Sequence, residues 1–592
     1  MYRDRFYCGE LTVNDTDKEV LLAGWVETKR DLGGIIFLEI RDISGIIQVV
    51  FDSSKSAENA KLADQTRSEY VIKVKGKIRR RSEDTINPNI ATGEIEVVAD
   101  SIDILNKSKV PPFPLNTRDT IGEEVRLKYR FLDLRRSDMC EAMIKRSTVM
   151  QVTRNYLTKN RFFEIETPIL NKSTPEGARD FLVPSRINRG EFYALPQSPQ
   201  IFKQILMVAG FDRYYQIVKC FRDEDLRNDR QPEFTQIDME LSFVTEDMII
   251  ELVEGLIKEI IQEVTGENVT LPFRRMNYDE AMAKYGCDKP DTRFGLELKE
   301  CSDIFAKSEF KVFSDALSKG GIVKGFSVED EGRISRKMSD DYTDHVRIYG
   351  AKGFPMFRYK DGAFEGGISK FLSDDEKKAV IERFELKNDA ILFFSVDKAK
   401  IVNQTLANMR LKVARDLDMI DENRFDLLWV TDFPLFEYSP EDKRFYSTHH
   451  PFTAPKEECL PMLDNLTPEN ADKIKAQAYD IVLNGNEIGG GSIRIISSEI
   501  QNKIFMLENI SEEEAKIKFS FLLDALQYGA PPHGGLALGL DRIMMLLLKR
   551  DSIREVIAFP KTQKGQCIMS NAPSEVTREQ LKELSIRVVE GQ

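Results

Sequence analysis

Two segments that alternate like β-strands flank one dense charge cluster. RYYQIVKC (213–220) leads into FRDEDLRNDRQPEFTQID (221–238), and the alternation resumes in FTQIDMELSF (234–243). Nine of the eighteen residues of 221–238 are charged, three arginines and six acids. Successive side chains of a strand point to opposite faces. Ile237, Met239, Leu241 and Phe243 therefore share one face, and Phe234, Gln236, Asp238 and Glu240 share the other. The pattern predicts a hairpin with a long charged loop and one polar side. If both faces are covered, that polar side is costly unless ligand or partner groups satisfy it. The arrangement favours a site for a charged ligand over a solvated loop.

The chain has 592 residues, more than one ordinary core accommodates, and a soft expectation is roughly three to five domains. Its composition, 41% hydrophobic and 31% charged, is that of a soluble globular protein. No apolar run is long enough to span a bilayer, and none near Met1 resembles a signal peptide, so a cytoplasmic protein with no membrane partner is expected. The seven cysteines (8, 140, 220, 287, 301, 459, 567) never form a CxxC pair, which argues for reduced thiols and against a cysteine-based zinc site. With four histidines, a histidine-rich metal site is also disfavoured. The net charge of −13 argues against nucleic acid as a partner, yet VIKVKGKIRRR (71–81) carries six positive charges and no negative one. Lys73, Lys75, Lys77, Arg79 and Arg81 would share one face of a strand. That face is either a lysine-protected edge or a stripe for a phosphate backbone.

Residues 1–108 read as five short strands, which suggests a small barrel such as an OB-fold. In IIFLEIR, Ile36, Leu38 and Ile40 form the apolar face, leaving Phe37 beside Glu39 and Arg41, while Gln48 interrupts the apolar GIIQVV. An outward aromatic next to hydrogen-bonding groups is what single-stranded bases need. KVPPFPLN (109–116) reads as a stiff linker, and a helix is expected from about Asp138 to Asn160. Residues 248–265 look like an amphipathic helix, and 290–424 like an inserted α/β module.

Two C-terminal segments carry further signals. GGLALGLDRIMMLL (534–547) places Arg542 at the start of an apolar helix, and a buried arginine needs an anionic partner such as phosphate. NEIGGGSIRI (486–495) sets Glu487 before three glycines, with Arg494 on a strand beyond and Asp480 upstream. Both acids offer hard oxygens suited to Mg²⁺ beside a nucleotide. STHHPFTAP (447–455) reads, from its residues alone, as a turn.

These segments resemble the bacterial type of aspartyl-tRNA synthetase, within subgroup b of the class II aminoacyl-tRNA synthetases. The resemblance rests on FFEIETP (162–168), on FRDEDLRNDRQPEFTQID, on GLALGLDR (535–542), and on QSPQIFKQ (197–204), which is characteristic of the subgroup. It covers the whole length. It implies a multidomain α/β and β fold: an OB-fold anticodon-binding barrel (1–108), a hinge (109–138), an antiparallel-sheet catalytic domain flanked by helices in two parts (139–289 and 425–560), a bacterial-type inserted α/β domain (290–424) and a C-terminal extension (561–592). It also implies a homodimer, with the first signature at the interface.

The implied activity is aspartate–tRNA ligation, with ATP and Mg²⁺ required and L-aspartate and tRNA-Asp as the other substrates. In the ATP site the resemblance puts Arg222 on the α-phosphate, Glu224 on the adenine amino group, Phe234 against adenine and Arg542 on the γ-phosphate, making Arg222 and Arg542 the catalytic pair. Asp223, Gln231, Gly539 and Asp541 join the same site. Asp480 and Glu487 would bind the metal. Lys203 and Arg494 match the positions that grip the substrate side chain, Ser198 and Asp238 match those around its amino group with Gln200 in the same pocket, and Glu176, His449 and His450 would close over it. In the barrel, Phe37 would stack a base, while Arg30, Gln48 and Glu83 read base edges. Leu32 stands where relaxed relatives, which also charge tRNA-Asn, often carry histidine; it points to the strict form and leaves tRNA-Asn open.

Overall fold

The computed structural model describes residues 2–116, 121–174, 177–329 and 332–589. They divide into two compact units, Met1–Ile144 with Ile557–Ser574, and Lys145–Val556 with Glu575–Gln592.

The first unit holds a closed five-stranded barrel: β1 Glu19–Leu32, β2 Ile35–Asp42, β3 Gly45–Asp52, β4 Val71–Arg80 and β5 Ile95–Asn106, in the order β1-β2-β3-β5-β4. Closure removes the free edges that a small sheet would otherwise expose. Leu22, Val26, Leu38, Ile40, Ile47, Val49, Ile72 and Val74 fill the interior. The expected alternation holds in β2, where Ile36, Leu38 and Ile40 are buried and Phe37, Glu39 and Arg41 are half-buried outside.

Residues 109–138 differ from the expected plain linker. Phe113 and Leu115 are buried, and helices Glu123–Lys128 and Arg130–Asp133 follow. The Arg130 guanidinium donates to the carbonyls of Ala558 (2.9 Å) and Ile557 (2.7 Å) and pairs with Asp133 at 2.5 Å. A buried arginine with three acceptors fixes its segment, and neither its partners at 557–558 nor its burial could be read from the local sequence.

The second unit is built on an eight-stranded sheet. From edge to edge it runs Arg274–Asn277, Leu427–Thr431, Ala478–Leu483, Asn486–Ile493, His533–Gly539, Glu233–Ser242, Arg213–Phe221 and Phe163–Glu164. The two outermost pairs are parallel and the inner pairs antiparallel. Arg213–Phe221 and Glu233–Ser242 form the expected hairpin, with Phe234 opposite Cys220 and Asp238 opposite Gln216. One assignment fails: Phe243 lies past the strand end with φ +56° and is 69% exposed, so the apolar face stops at Leu241.

Helix Glu246–Thr265 covers that apolar face. Thr245 caps its start by accepting from the Met248 N–H, and Gly266 at φ +78° ends it. Ile249, Val253, Leu256, Ile257 and Ile260 are its buried stripe. The packing is close here: a Cβ on Gly534 would lie 3.0 Å from the Ile249 side chain. The segment expected as an insertion forms its own five-stranded antiparallel sheet, with Ile322–Glu329 and Ala390–Asp397 at its centre, backed by helix Ala399–Asp416. Among the described residues no helix is long and apolar enough to cross a membrane.

Candidate active site

The uncovered face of the eight-stranded sheet is a cleft. Its larger part is a cavity of about 570 Å³ lined by Ser198, Gln200, Lys203, Arg222, Asp238, His449, His450, Asp480, Glu487 and Arg494, among others. A neighbouring pocket of about 240 Å³ is lined by Arg222, Glu224, Gln231, Phe234, Glu487, Gly539, Asp541 and Arg542. Arg222, Gln236, Glu487 and Ala537 border both, so the two are continuous.

The floor of the larger cavity is a buried ion cluster. Lys203 donates to Asp238 at 2.7 Å and stands 3.3 Å from Glu240. Arg494 donates from Nε to Glu240 Oε1 (2.9 Å), from Nη2 to Glu240 Oε2 (3.1 Å) and from Nη1 to Ser492 Oγ (2.7 Å). All four charged groups are at least 97% buried. Two cations and two carboxylates balance, which is the condition under which buried charge is tolerated. Burial pushes the Asp238 carboxyl up, to about 6, with Lys203 opposing. Burial acts on Glu240 in the same sense, but Arg494 and Lys203 outweigh it and hold that carboxyl below its ordinary value. The cluster also dictates a glycine: a Cβ on Gly535 would lie 1.9 Å from Glu240 Oε2.

The cavity wall leaves polar atoms unused. Asp238 Oδ2, Gln200 Nε2, His449 Nε2 and Arg222 Nε are buried with no hydrogen-bond partner. Each such orphan costs about 1–3 kcal/mol, so four around one cavity point to a polar ligand that supplies the missing bonds. Burial lowers His449 to about 4 and, together with the nearby Arg494, holds His450 well below its ordinary value, so both rings are neutral at pH 7.

In the smaller pocket two ion pairs join lining residues to one another. The Arg222 guanidinium lies 5.2 Å from the centre of the Phe234 ring. Arg230 Nη1 meets Glu224 Oε2 at 3.0 Å, and Arg542 Nη2 meets Asp229 Oδ2 at 3.2 Å. Arg542 Nη1 also donates to the Glu487 carbonyl at 2.6 Å. Asp541 borders the pocket with both oxygens engaged, one by the Thr235 N–H (2.7 Å) and one by Arg146 (2.5 Å), so it fixes the strand end beneath.

Asp480 lines the larger part, and Glu487 borders both. Burial, then Glu487 and Asp288, push the Asp480 carboxyl well above its ordinary value, with Lys289 opposing. A Cβ on Gly490 would lie 2.2 Å from Asp480 Oδ1. Among the described residues no group of three or more potential ligands is preassembled. Two mutually repelling carboxylates with room for phosphate and water oxygens suit Mg²⁺, which is held by few protein ligands.

Some expected residues stand elsewhere. Asp223 borders neither part; its carboxylate faces Arg179 at 3.6 Å. Glu176 lies outside the described residues. Glu240 is the functional group that residue reading left without a role, although the alternation placed it on the polar face. Arg444, Tyr446, Glu508 and Lys518 also line the cavity and carried no signal in the sequence.

In the barrel, Arg30 and Phe37 are cross-strand neighbours. Gln48 is buried, taking a bond from Arg30 (2.8 Å) and giving one to Glu96 (2.8 Å), so it braces Arg30 instead of presenting an open edge. Leu32 is 69% exposed, and Glu83 is exposed in a short turn. Lys73, Lys75, Lys77 and Arg79 do share one face of β4, whereas Arg81 lies past the strand end; Lys73 pairs with Asp103, Lys77 with Asp17, and Arg79 with Glu96.

Comparison with known proteins agrees with this layout. The family described as "tRNA synthetases class II (D, K and N)" matches residues 122–563, and "OB-fold nucleic acid binding domain" matches 20–105. Aspartate–tRNA(Asp/Asn) ligases of Thermoanaerobacter sp. (strain X514) and Geotalea uraniireducens are 52% and 53% identical, each aligned over 98% of both chains. That of Aquifex aeolicus is 52% identical over 99% of this chain and 98% of its own. Among solved structures, asparaginyl-tRNA synthetase from Pyrococcus horikoshii with asparaginyl-adenylate superposes with a TM-score of 0.59 over 95% of this chain and 98% of its own, at 20% identity, which bears on the fold alone. Full-length identity above half, together with both domain matches, decides the matter: the chain belongs to the class II tRNA synthetases, and within them to the bacterial-type aspartyl-tRNA synthetases.

Proposed function

We infer that the chain is an aspartate–tRNA ligase: it joins L-aspartate to ATP, releasing pyrophosphate, and passes the aspartyl group to the 3′ end of tRNA-Asp. The observation that carries the reading is the buried cluster, where Lys203 and Arg494 stand opposite an orphaned Asp238 Oδ2. Two cations and one free carboxylate oxygen match a ligand with an anionic side chain and an ammonium group.

Asp238 Oδ2 takes the substrate ammonium, with Ser198 and Gln200 beside it. Lys203 and Arg494 take the side-chain carboxylate, while Glu240 holds Arg494 in place. Asparagine has nearly the same shape, so charge must discriminate. Its amide cannot make the charge-assisted bonds that a carboxylate makes to Lys203 and Arg494, at a cost of about several kcal/mol. His449, neutral by burial, can add a hydrogen bond from its unpartnered Nε2 without adding charge, while the ring nitrogens of His450 meet the Phe452 N–H (3.1 Å) and Arg494 (2.6 Å).

ATP lies across the smaller pocket. Phe234 stacks on adenine, Glu224 accepts from its amino group, and Gln231, Gly539 and Asp541 shape the surroundings. Arg222 holds the α-phosphate and Arg542 the γ-phosphate. Asp480 and Glu487 would hold Mg²⁺, which supplies neutralisation of phosphate charge when bound. The substrate carboxylate attacks the α-phosphorus and pyrophosphate leaves, so no protein nucleophile is needed. What the chain contributes is alignment and positive charge. A ribose hydroxyl of the tRNA terminus then attacks the acyl carbon and AMP leaves.

The barrel reads the anticodon, with Phe37 stacking a base and Arg30 and Glu83 at base edges. The same reading makes the chain a cytoplasmic homodimer. Support for a dimer is the sheet edge at Phe163, which is 58% exposed and packs edge-to-face on the half-exposed Phe211. The divisions proposed are barrel 1–108, a packed connector 109–138, catalytic parts 139–289 and 425–560, insertion 290–424 and extension 561–592.

A second reading concerns the tRNA. The names of the relatives, tRNA(Asp/Asn) ligases, favour charging of tRNA-Asn as well, whereas Leu32 favours the strict form. Charging of purified tRNA-Asp and tRNA-Asn by the full chain separates the two. ATP–pyrophosphate exchange tests the core of the reading: it should run with aspartate, and exchange with asparagine alone would overturn it.

A further inference from the structure

The loop 286–291 leads from helix Tyr278–Tyr285 into the inserted domain and passes beside a carboxylate proposed for the metal. Gly286, at φ +72°, ends the helix, and a Cβ there would lie 2.5 Å from the Asn403 carbonyl oxygen. Lys289 precedes Pro290, which biases its backbone to an extended form. Asp291 is buried; its carboxylate pairs with Arg293 (2.8 Å) and its carbonyl accepts from Arg410 (3.3 Å). Arg410, on the insertion's helix Ala399–Asp416, is buried against the Tyr285 and Phe294 rings, 4.7 and 4.8 Å from their centres. On the other side, a Cβ on Gly485 would lie 2.9 Å from the Asp291 Cβ. Gly485 is in the turn between Ala478–Leu483 and Asn486–Ile493, the strands that carry Asp480 and Glu487. The loop is thus fixed both by the insertion and by the turn that joins the two metal-site strands.

What the fixed loop presents to those acids is a cation. Lys289 Nζ stands 3.5 Å from Asp288 Oδ1 and 4.0 Å from Glu487 Oε2, and Asp480 lies within its electrostatic reach. Three carboxyl groups face one ammonium, so the group still attracts a divalent ion, but less than the carboxyls alone would. Charges about 4 Å apart near a protein surface interact several times more strongly than in bulk water. An ammonium at that distance competes with an incoming ion for the same carboxylate. The phosphate oxygens of a nucleotide add ligands and negative charge, which tips the balance toward the ion. We propose that Lys289 is the resident counter-cation of Glu487 and Asp480: it weakens their hold on a free divalent ion and so ties metal binding to nucleotide binding. This rests on the ligase reading above and its assignment of the two carboxylates, and it adds a positioning residue that acts through them.

The test is a binding measurement on the full-length enzyme. Mn²⁺, standing in for Mg²⁺, is titrated by electron paramagnetic resonance with and without α,β-methylene-ATP. The proteins are wild type, Lys289→Met, Lys289→Arg and the double variant Lys289→Met with Glu487→Gln. The Lys289 side chain is 46% exposed, so its replacement leaves the core intact. Without nucleotide, Lys289→Met should bind Mn²⁺ at least about tenfold more tightly than wild type, because a unit charge about 4 Å from the carboxylate is gone. Lys289→Arg keeps the charge and should bind like wild type. The nucleotide analogue should tighten Mn²⁺ binding more in wild type than in Lys289→Met, a readout that a merely structural role would not move. The double variant should lose the gain. Lys289→Met that binds Mn²⁺ no more tightly than wild type would overturn the proposal. So would a gain that survives in the double variant, since the ion would then sit elsewhere. Absence of aspartate-dependent exchange in wild type would instead sink the ligase reading, on which the Mn²⁺ comparison does not depend.

Discussion

The catalytic cleft and the N-terminal barrel both set charged side chains on the face of a sheet, but they treat them in opposite ways. In the cleft, Lys203, Arg494, Asp238 and Glu240 are almost wholly buried, and several neighbouring polar atoms have no partner. In the barrel, the lysines and arginines of β4 are largely exposed and mostly matched with nearby acids. Buried charge interacts strongly and is barely screened, whereas exposed pairs contribute little and fade with salt. The cleft is therefore organised before its ligand arrives and selects by charge. The barrel presents a nearly neutral surface whose grip on RNA must come from stacking and a few unpaired contacts.

The largest expected effect comes from breaking the buried cluster. Arg494→Ala leaves Glu240 buried without its bidentate partner, which costs about 3–5 kcal/mol in stability. It also removes one of the two cations proposed for the substrate side chain. Aspartate-dependent exchange should fall at least about a hundredfold, with a lower melting temperature. An unchanged exchange rate would show that the cluster serves only the fold. The barrel's counterpart is Phe37→Ala. Stacking on one base contributes about 1–3 kcal/mol, so KM for tRNA should rise by between about five- and a hundredfold. KM for aspartate measured by exchange serves as the reference; if the tRNA KM does not move, Phe37 is not the stacking platform.

The same comparison explains what could be read in advance. Strand alternation is local, so it placed Phe234, Gln236, Asp238 and Glu240 on one face and Phe37 on the outside of β2. It failed at Phe243, where a positive φ ends the strand before the pattern ends. Periodicity also does not carry pairing. Nothing in the local sequence says that Glu240 grips Arg494, 254 residues away, or that Arg130 caps carbonyls at 557–558. The roles of Gln48 and Asp541 shift for the same reason: their polar atoms are already engaged by distant partners. Residues such as Arg444 and Glu508, drawn into the cavity by tertiary packing alone, had no pattern to announce them.

A pH profile probes the buried side of the comparison further. Asp238 is raised by burial to about 6 and must be ionised to hold an ammonium group. Its affinity for protons is higher in the folded chain than in the unfolded one, so it contributes stability at low pH that is lost as pH rises toward 6. Substrate binding has the opposite sign. Below pH 6, kcat/KM for aspartate should drop about tenfold per unit as the carboxyl is protonated. The neutral histidines cannot produce this step, since burial has moved both well below it. Asp238→Asn should be poorly active with the step removed; a step that survives in this variant would assign the titration to another group.

The smallest expected effect tests the one part of the cleft that resembles the barrel. In the ATP pocket, Asp229 pairs with Arg542 and Arg230 with Glu224, all of them partly exposed. Arg542 and Glu224 are the groups proposed to meet the γ-phosphate and the adenine amino group, so in this state the loop's own charges stand where ATP's would. ATP must displace Asp229 from Arg542 before the arginine can turn to phosphate. An exposed pair of this kind is worth up to about 1 kcal/mol, so Asp229→Asn should lower KM for ATP by no more than about fivefold. Raised salt should narrow the gap between wild type and variant, because screening weakens the competing pair in wild type alone. A higher KM in the variant would mean that Asp229 assists ATP binding, and that the pocket's pairing is part of the site and not a placeholder within it.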